Sequence, residues 1–544
     1  MSRSPLFTDV IRTLRIARFC NHRRLSTAEG LERVRQGERD HAALRSGRRE
    51  WMKTVARTSA LGAAALMTSP VRRVLASSKP GSSLDVGIVG AGLAGLACAD
   101  TLADRGVVAT IYDANTRAGG RCQSLRGVFP GQVAERGGEF IDNLHKTMLQ
   151  YAKRFDLAVE DVSKLPGEVS YYFGGQHIPE ATVVDEFREF VDAMRFDLRR
   201  LSNAVTALSH TAADVAIDRT NLLAYLEGAN GANLAAGPIA KAAISEAYIA
   251  EYGLEPDEQS CLNFLLFIHA DRRSKFTPFG VFSDERYHVL DGNERIVEGL
   301  TQELLRPVEY GMTLVAVRRT AAGAVELVFD TSGGMTSRVH EAVVLALPFS
   351  TLRHVDLDMN LGLSPAKRAA IDRLGYGTNA KMMIGFDRRP WVAQGSTGAS
   401  YSDLTNHQTT WETNPARATA TRGVLTDYSG GDRGASLDPN AVQVEANLFL
   451  ADLDLVFPGS QAAARRTPSG VVAHLEHWPS NPLTLGSYTS YLPGQFTTIA
   501  GLEGLPTGNI FFAGEHANSF YDFQGFMEGA VLSGIDAAAA ILRK

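Results

Sequence analysis

Val86-Gly-Ile-Val-Gly-Ala-Gly-Leu-Ala-Gly95 is the stretch that decides the fold of this chain. Val86 to Val89 reads as a buried strand, Gly90, Gly92 and Gly95 as the turn, and Leu93 to Ala103 as a helix of small residues. A helix that starts there offers free N–H groups and a positive dipole end to a pyrophosphate, so Gly90, Gly92, Leu93, Ala94 and Gly95 are candidate dinucleotide ligands. The acid expected about 20 residues on is Asp113, in Ala109-Thr-Ile-Tyr-Asp113, placed to accept hydrogen bonds from the adenosine ribose. An acid at that point disfavours a 2′-phosphate. The cluster reads as a site for FAD or NAD.

Far along the chain, Phe511-Phe-Ala-Gly-Glu-His516 runs on to Gln524-Gly-Phe-Met-Glu-Gly-Ala530, which has the form of a closing flavin-binding segment. Between the two lie Gly119-Gly-Arg121 and Gly137-Gly-Glu-Phe-Ile141. Residues 144–284 read as mainly helical, including Val183 to Leu201 and Leu222 to Leu226. Met312 to Val317, Val325 to Phe329 and Ala342 to Leu347 read as a β-meander, and Lys381 to Phe386 and Val442 to Leu450 as strands, with helices between Leu453 and Leu475. The chain therefore leaves and re-enters its dinucleotide domain. The expected class is α/β: a Rossmann-like FAD-binding domain built from 84–143, 285–362 and 477–544, with an inserted α+β substrate domain from 144–284 and 363–476.

With 544 residues and 44% hydrophobic content the chain can bury a large core, and its net charge of −5 gives no basic balance for nucleic acid. Cys20, Cys98, Cys122 and Cys261 are scattered, with no disulfide framework. Residues 1–80 read as a basic leader and linker. Arg48-Arg-Glu-Trp-Met-Lys53, the apolar Ser59 to Met67 and the small residues at Ala76-Ser-Ser78 suggest a twin-arginine signal, too short for a permanent membrane span. Export to the periplasm or beyond, through the twin-arginine machinery, is the expectation; a cytoplasmic protein with a basic tail is the other reading. His474 and His477 lack a third ligand, so no metal site is expected.

Taken in order, the fingerprint with Asp113, Gly119-Gly-Arg121, Gly137-Gly138, Lys381, Trp478 with Gly486-Ser-Tyr488, and Ala513 to Ala530 resemble the flavin-containing amine oxidase family of monoamine, polyamine and L-amino-acid oxidases. The resemblance implies FAD held by the fingerprint glycines and by Gly119, Gly120, Arg121, Gly137, Gly138, Glu139, Phe140, Val317, Trp478, Gly514, Glu515, Gly525, Phe526 and Met527. It implies that Lys381 holds a water at flavin N5, and that Tyr488 and Phe526 flank the substrate amine. Ser487 stands where several members carry a flavin-linked cysteine, so non-covalent FAD is expected.

The implied reaction is oxidation of a C–N bond of a primary amine or L-amino acid, the imine hydrolysing and oxygen being reduced to hydrogen peroxide. Glu139, near a glycine pair followed by no arginine, favours a basic substrate, unless Arg272 or Arg286 reaches the pocket. The acidic run Glu251 to Glu258 reads as a solvated face. Other readings are an L-amino-acid oxidase or tryptophan 2-monooxygenase-like enzyme for bulky neutral or aromatic amino acids, a desaturase or protoporphyrinogen-oxidase-like enzyme, and a non-catalytic flavin-binding scaffold. Oligomeric state is not legible.

Overall fold

Five strands drawn from the two ends and the middle of the chain assemble into one parallel sheet. Its order is Ile510–Phe512, Ala342–Leu345, Val86–Val89, Thr110–Asp113, Glu309–Tyr310. The computed structural model describes residues 13, 16–21, 23–36, 84–162, 166–269, 286–418 and 421–543. Val86–Val89 and Ala342–Leu345 are buried at every position, as continuous apolar runs in the centre of a parallel sheet must be. The helices Leu93–Ala103 and Met527–Leu542 pack on each other so closely that a Cβ on Gly534 would lie 2.1 Å from the Ala94 carbonyl oxygen.

The meander differs from the expectation. Its strands are Thr313–Arg319, Val325–Thr331 and Gly334–His340, with Asp356–Leu357 added alongside. Ala342–Leu345 belongs instead to the parallel sheet. The reason is visible in the side chains: Gly334–His340 is polar and largely exposed, whereas Ala-Val-Val-Leu has no face that water could wet.

A seven-stranded sheet forms the second layer system, in the order Ala473–His477, Ala380–Phe386, Gly423–Ser429, His407–Glu412, Ser396–Leu404, Glu168–Phe173, Gln176–Ile178. The segment read as mainly helical thus also supplies two of these strands, beside the helices Glu180–Leu198, Pro238–Tyr252 and Cys261–His269. The first helix of that segment, Lys146–Arg154, joins the core of the parallel sheet through Met148, Tyr151 and Ala152.

Val442–Leu450 is not a strand but the start of the helix Val442–Val456; the strands Arg466–Thr467, Gly470–Val471 and Ala473–His477 follow where helix was expected. Alternation of Val442, Val444, Ala446, Leu448 and Leu450 imitates strand period because this helix carries apolar residues on two faces, one of them exposed. In the presumed leader, residues 16–21 and 27–36 are helical, and Ile16, Ala17 and Cys20 are buried. Arg188 fastens this segment by donating to Asn21 Oδ1, Thr27 Oγ1 and the Leu25 carbonyl at 2.8, 2.6 and 3.0 Å. The arginine pair, the apolar stretch and the Ala76 region lie outside the described residues. No described helix is long and apolar enough to cross a membrane. All four cysteines are free and buried.

Candidate active site

The three fingerprint glycines do three different jobs. Gly90 has φ +105°, and a Cβ there would lie 2.5 Å from the Ala346 carbonyl oxygen, so the turn requires glycine. A Cβ on Gly95 would lie 1.9 Å from the Gly90 carbonyl oxygen, which is the contact that seats the helix on the strand. Gly92, by contrast, has φ −72° and open space where a Cβ would project. It is the N-cap of Leu93–Ala103, and no side chain caps that helix. An uncapped helix N-terminus facing a cavity of about 500 Å³ is a cradle for an anion.

Gly90, Gly92, Leu93, Ala94, Asp113, Gly119, Gly120, Arg121, Trp478, Gly514, Glu515, Phe526 and Met527 all line this one cavity. Asp113 accepts from the N–H groups of Ala91 and Asn115, both at 2.7 Å. Burial raises its pKa, those two bonds opposing the rise. Each oxygen keeps a lone pair for a ribose hydroxyl. At the opposite end Phe526 is the N-cap of Met527–Leu542, again with no side-chain cap, so a second helix N-terminus meets the cavity.

Arg121 and Glu515 join these ends. The Arg121 guanidinium donates to Glu515 Oε1 at 2.9 Å and to the Ser487 carbonyl at 2.7 Å. Glu515 also accepts from the N–H groups of Thr489 and Gly525 at 3.3 and 3.1 Å. Burial works against its ionisation, but nearby positive charge, Arg121 first, with the Arg121 hydrogen bond, holds the carboxyl below the usual range. Trp478 donates its indole N–H to the Arg136 carbonyl at 3.0 Å, leaving its ring as an apolar wall.

Other expected ligands are placed behind the wall. Gly95, Gly137, Gly138, Glu139, Phe140, Val317, Gly525, Lys381 and Tyr488 do not line the cavity. Gly137 and Gly138 are required by close packing, since Cβ atoms there would lie 1.8 Å from the Arg121 carbonyl oxygen and 2.8 Å from Met527. On the strand Thr313–Arg319 it is Thr313, Leu314 and Val315 that reach the cavity, while Val317 is buried further along.

Lys381 has the clearest departure from expectation. Its ammonium donates to the carbonyls of Glu135 and Gly137 at 3.1 and 2.9 Å and to Glu139 Oε2 at 2.7 Å. Three donors meet three protein acceptors, so in this arrangement no proton is left over for a bound water. Glu139 Oε1 in turn accepts from the Trp411 indole at 2.9 Å. Glu139 is thus engaged on both oxygens by the protein and does not present itself to a second cationic group of a substrate. Nearby Glu135 is pushed up to about 8, chiefly by burial, against bonds from Asn293 N–H and the Ser124 hydroxyl.

Tyr488 is buried, donates to the Glu251 carbonyl and accepts from the Tyr428 hydroxyl at 3.1 Å. Glu251 is itself fully buried, so of the acidic run that begins with it only Asp257 and Glu258 are exposed to solvent. Arg286 is paired with Asp161 at 2.9 Å, and Arg272 lies outside the described residues. His477 bonds Ser480 and the Gly434 carbonyl, while His474 bonds Glu476, so the two imidazoles serve separate partners.

A model described as the flavin containing amine oxidoreductase family matches residues 93–542. The chain belongs to this family. It is a flavin-dependent oxidoreductase that acts on CH–NH2 donors. Among curated relatives, the L-amino-acid oxidase of Pseudechis australis is 22% identical over 464 residues, covering 83% of this chain and 85% of its own. That of Siganus canaliculatus is 24% identical over 480 residues, covering 85% of each. Among solved structures, cyclohexylamine oxidase from Brevibacterium oxydans IH-35A superposes with a TM-score of 0.71 at 21% identity, over 85% of this chain and 99% of that one. Putrescine oxidase bound to putrescine gives 0.69 at 19% identity, over 86% and 100%. These structures share the fold.

For this amine oxidoreductase the sequence reading missed several residues. Trp411 and Tyr428 surround the Lys381 ammonium, 5.5 and 5.8 Å from their ring centroids, but sit on strands that carry no motif. Arg117 and Asn115 line the cavity one turn of chain beyond Asp113. Leu485, with φ +48°, also lines it, and a leucine in the left-handed region beside Gly486-Ser-Tyr488 is invisible to pattern alone.

Proposed function

We propose that the protein is an FAD-dependent L-amino-acid oxidase. The observation that carries this reading is the single cavity bounded by an uncapped helix N-terminus and Asp113 at one end and by Phe526 and a second uncapped N-terminus at the other. Two helix N-termini and a ribose-binding acid on one cavity suit a dinucleotide with a flavin head. The choice of an amino acid over a simple amine rests on the curated relatives, L-amino-acid oxidases matched over 83–85% of this chain. The basic substrate that Glu139 suggested loses its support, because Lys381 and Trp411 occupy that carboxylate.

Leu93 and Ala94, at the N-terminus after Gly92, would hold the pyrophosphate, Asp113 the ribose, and Arg121 with Glu515 the region between pyrophosphate and ring. When bound, the flavin supplies the two-electron acceptor for the substrate α C–H. The protein orients the amino acid, with Phe526 on the cavity wall beside its amine, and excludes water. Overall, amino acid, oxygen and water give a 2-oxo acid, ammonium and hydrogen peroxide. Binding is non-covalent in this reading: Ser487 donates its hydroxyl to Asn379 Oδ1 at 2.6 Å, and burial drives the Cys122 thiol, which does line the cavity, well above its ordinary pKa.

The test is an anaerobic titration of the purified protein with L-phenylalanine, L-leucine, L-lysine, benzylamine and putrescine. Bleaching of the flavin band by amino acids, with peroxide on admitting air, is expected; bleaching by the amines alone overturns the substrate assignment. Flavin that stays with the polypeptide after acid precipitation overturns the non-covalent assignment.

A further inference from the structure

The helix Pro238–Tyr252 ends at Gly253, which sits in the left-handed region at φ +69° and has no room for a side chain: a Cβ there would lie 2.2 Å from Asn379 Oδ1. The last turn of a helix leaves carbonyls that its own N–H groups cannot reach. Here the Ile249 carbonyl accepts from the Gly253 N–H at 2.7 Å, and the next two accept from side chains distant in sequence. Asn379 donates its amide Nδ2 to the Ala250 carbonyl at 2.7 Å, and Tyr488 its hydroxyl to the Glu251 carbonyl.

Asn379 is fully buried, and both polar atoms of its amide are in use. A carbonyl can only accept, so Ala250 draws Nδ2 to the helix and turns Oδ1 toward Ser487, whose hydroxyl donates to it at 2.6 Å. The Ser487 carbonyl accepts in turn from Arg121 at 2.7 Å. Ala250, Asn379, Ser487 and Arg121 thus form one line of bonds from the end of the helix Pro238–Tyr252 to the cavity. Arg121 lines that cavity, while Asn379 and Ser487 stand behind it.

We propose that Asn379 is a positioning residue for flavin binding, acting through Ser487 on the Arg121 guanidinium without touching the cavity itself. The inference rests on the FAD reading above. Ser487 needs such a hold because it follows two residues at positive φ, Leu485 at +48° and Gly486 at +146°, the first a conformation that a leucine rarely adopts. The chain leaves that turn with its next carbonyl aimed at Arg121, and the bond from Ser487 to Asn379 fixes the residue that carries it. Backbone bonds, from the Ser487 N–H to the Gly377 carbonyl at 2.8 Å and from the Gly377 N–H to the Tyr488 carbonyl at 2.9 Å, keep the stretch in place when the Ser487 side chain is cut back. Ser487→Ala therefore removes the aim and spares the fold.

The test is fluorescence titration of the apoprotein with FAD, together with apoprotein Tm, on wild type, Ser487→Ala, Asn379→Ala and the double variant. Losing one hydrogen bond of this kind is expected to raise the FAD Kd of Ser487→Ala roughly 3- to 10-fold, at an apoprotein Tm close to wild type. Asn379→Ala also strands the Ala250 carbonyl, so its Tm is expected to fall as well. The double variant is expected to show the Kd of Asn379→Ala, since both changes cut the same line of bonds. In an Arg121→Ala background, Ser487→Ala is expected to add nothing. A wild-type Kd for Ser487→Ala overturns the proposal, and that variant alone decides the matter where Asn379→Ala does not fold. Losses of affinity that multiply in the double variant, or a Ser487→Ala effect undiminished without Arg121, also overturn it. A wild type that takes up no FAD overturns the FAD reading and the proposal with it, whereas failure confined to the variants overturns the proposal alone.

Discussion

Glu139 Oε2 lies 2.7 Å from Lys381 Nζ in the interior, where the two side chains are 1% and 5% exposed. One residue follows the glycine pair of the parallel-sheet layer, and the other opens the second strand of the seven-stranded sheet. Lys381 therefore ties the seven-stranded sheet to the short strand Ala134–Glu135 and to the glycine loop that follows it.

Breaking that pair from one side strands a buried charge. Lys381→Met and Glu139→Gln are each expected to cost about 3 kcal/mol of stability, as single-sided removal of a buried ion pair does. The double variant is expected to recover more than half of the summed loss. Urea unfolding of the four proteins measures the coupling. An unfolding midpoint untouched by Lys381→Met would show that the lysine has no clamping role.

Arg121 and Glu515 hold the loop that leads to Phe526. Glu515→Gln leaves one oxygen to serve Arg121 and the two backbone N–H groups that the carboxylate serves now. Loss of charge-assisted bonds of this kind costs about 1.5–3 kcal/mol, which is roughly a 10- to 150-fold weaker hold on flavin. Fluorescence titration of apoprotein with FAD reads it directly. Arg121→Lys is expected to lose less, because both bonds leave one guanidinium nitrogen and an ammonium placed there could donate to Glu515 and the Ser487 carbonyl alike.

Much of this was legible before the structure. The strand–turn–helix at Val86, Asp113 and the closing segment place themselves, because backbone constraints at Gly90 and Gly95 leave little choice of residue. Val442–Val456 misled because alternation cannot distinguish a strand from a helix with two apolar faces. Glu139 misled because its partner lies more than two hundred residues away, and no local pattern in Gly137-Gly-Glu-Phe announces that a lysine will reach it. Trp411 and Tyr428 were silent for the same reason.

Acid should weaken the fold partly through His516. The ring is fully buried, packs on Phe349 at 4.3 Å, and has no hydrogen-bond partner on either nitrogen among the described residues. Burial lowers its pKa from 6.5 to about 4. Between those values the unfolded chain binds a proton that the native state does not, so stability falls as pH drops through that window. Asp427 and Glu503, raised by burial to about 7, have the opposite sign: the native state holds the extra proton, and stability falls as pH rises toward 7. The histidine contribution is therefore read as a difference. His516→Phe is expected to shrink the loss of Tm between pH 6.5 and 4.5 relative to wild type; an unchanged pH profile would mean that His516 does not titrate in that range.

The sharpest separation of fold from cofactor comes from two neighbouring glycines. Gly95→Ala drives a methyl to 1.9 Å from the Gly90 carbonyl oxygen, and backbone cannot retreat as a flexible side chain can. Overpacking of this kind costs about 1–3 kcal/mol or more, so the variant should unfold at lower temperature with or without flavin. Gly92→Ala meets nothing within 4 Å and keeps an ordinary φ of −72°, so the apoprotein should melt like wild type or slightly higher. Its methyl projects into the space beside the helix N-terminus, where the pyrophosphate approaches, and flavin affinity should fall. Apoprotein Tm and FAD titration on both variants form the measurement. Equal loss of apoprotein stability in the two would mean that Gly92 serves packing, and the cradle at the start of Leu93–Ala103 would lose the argument that distinguishes it from an ordinary turn.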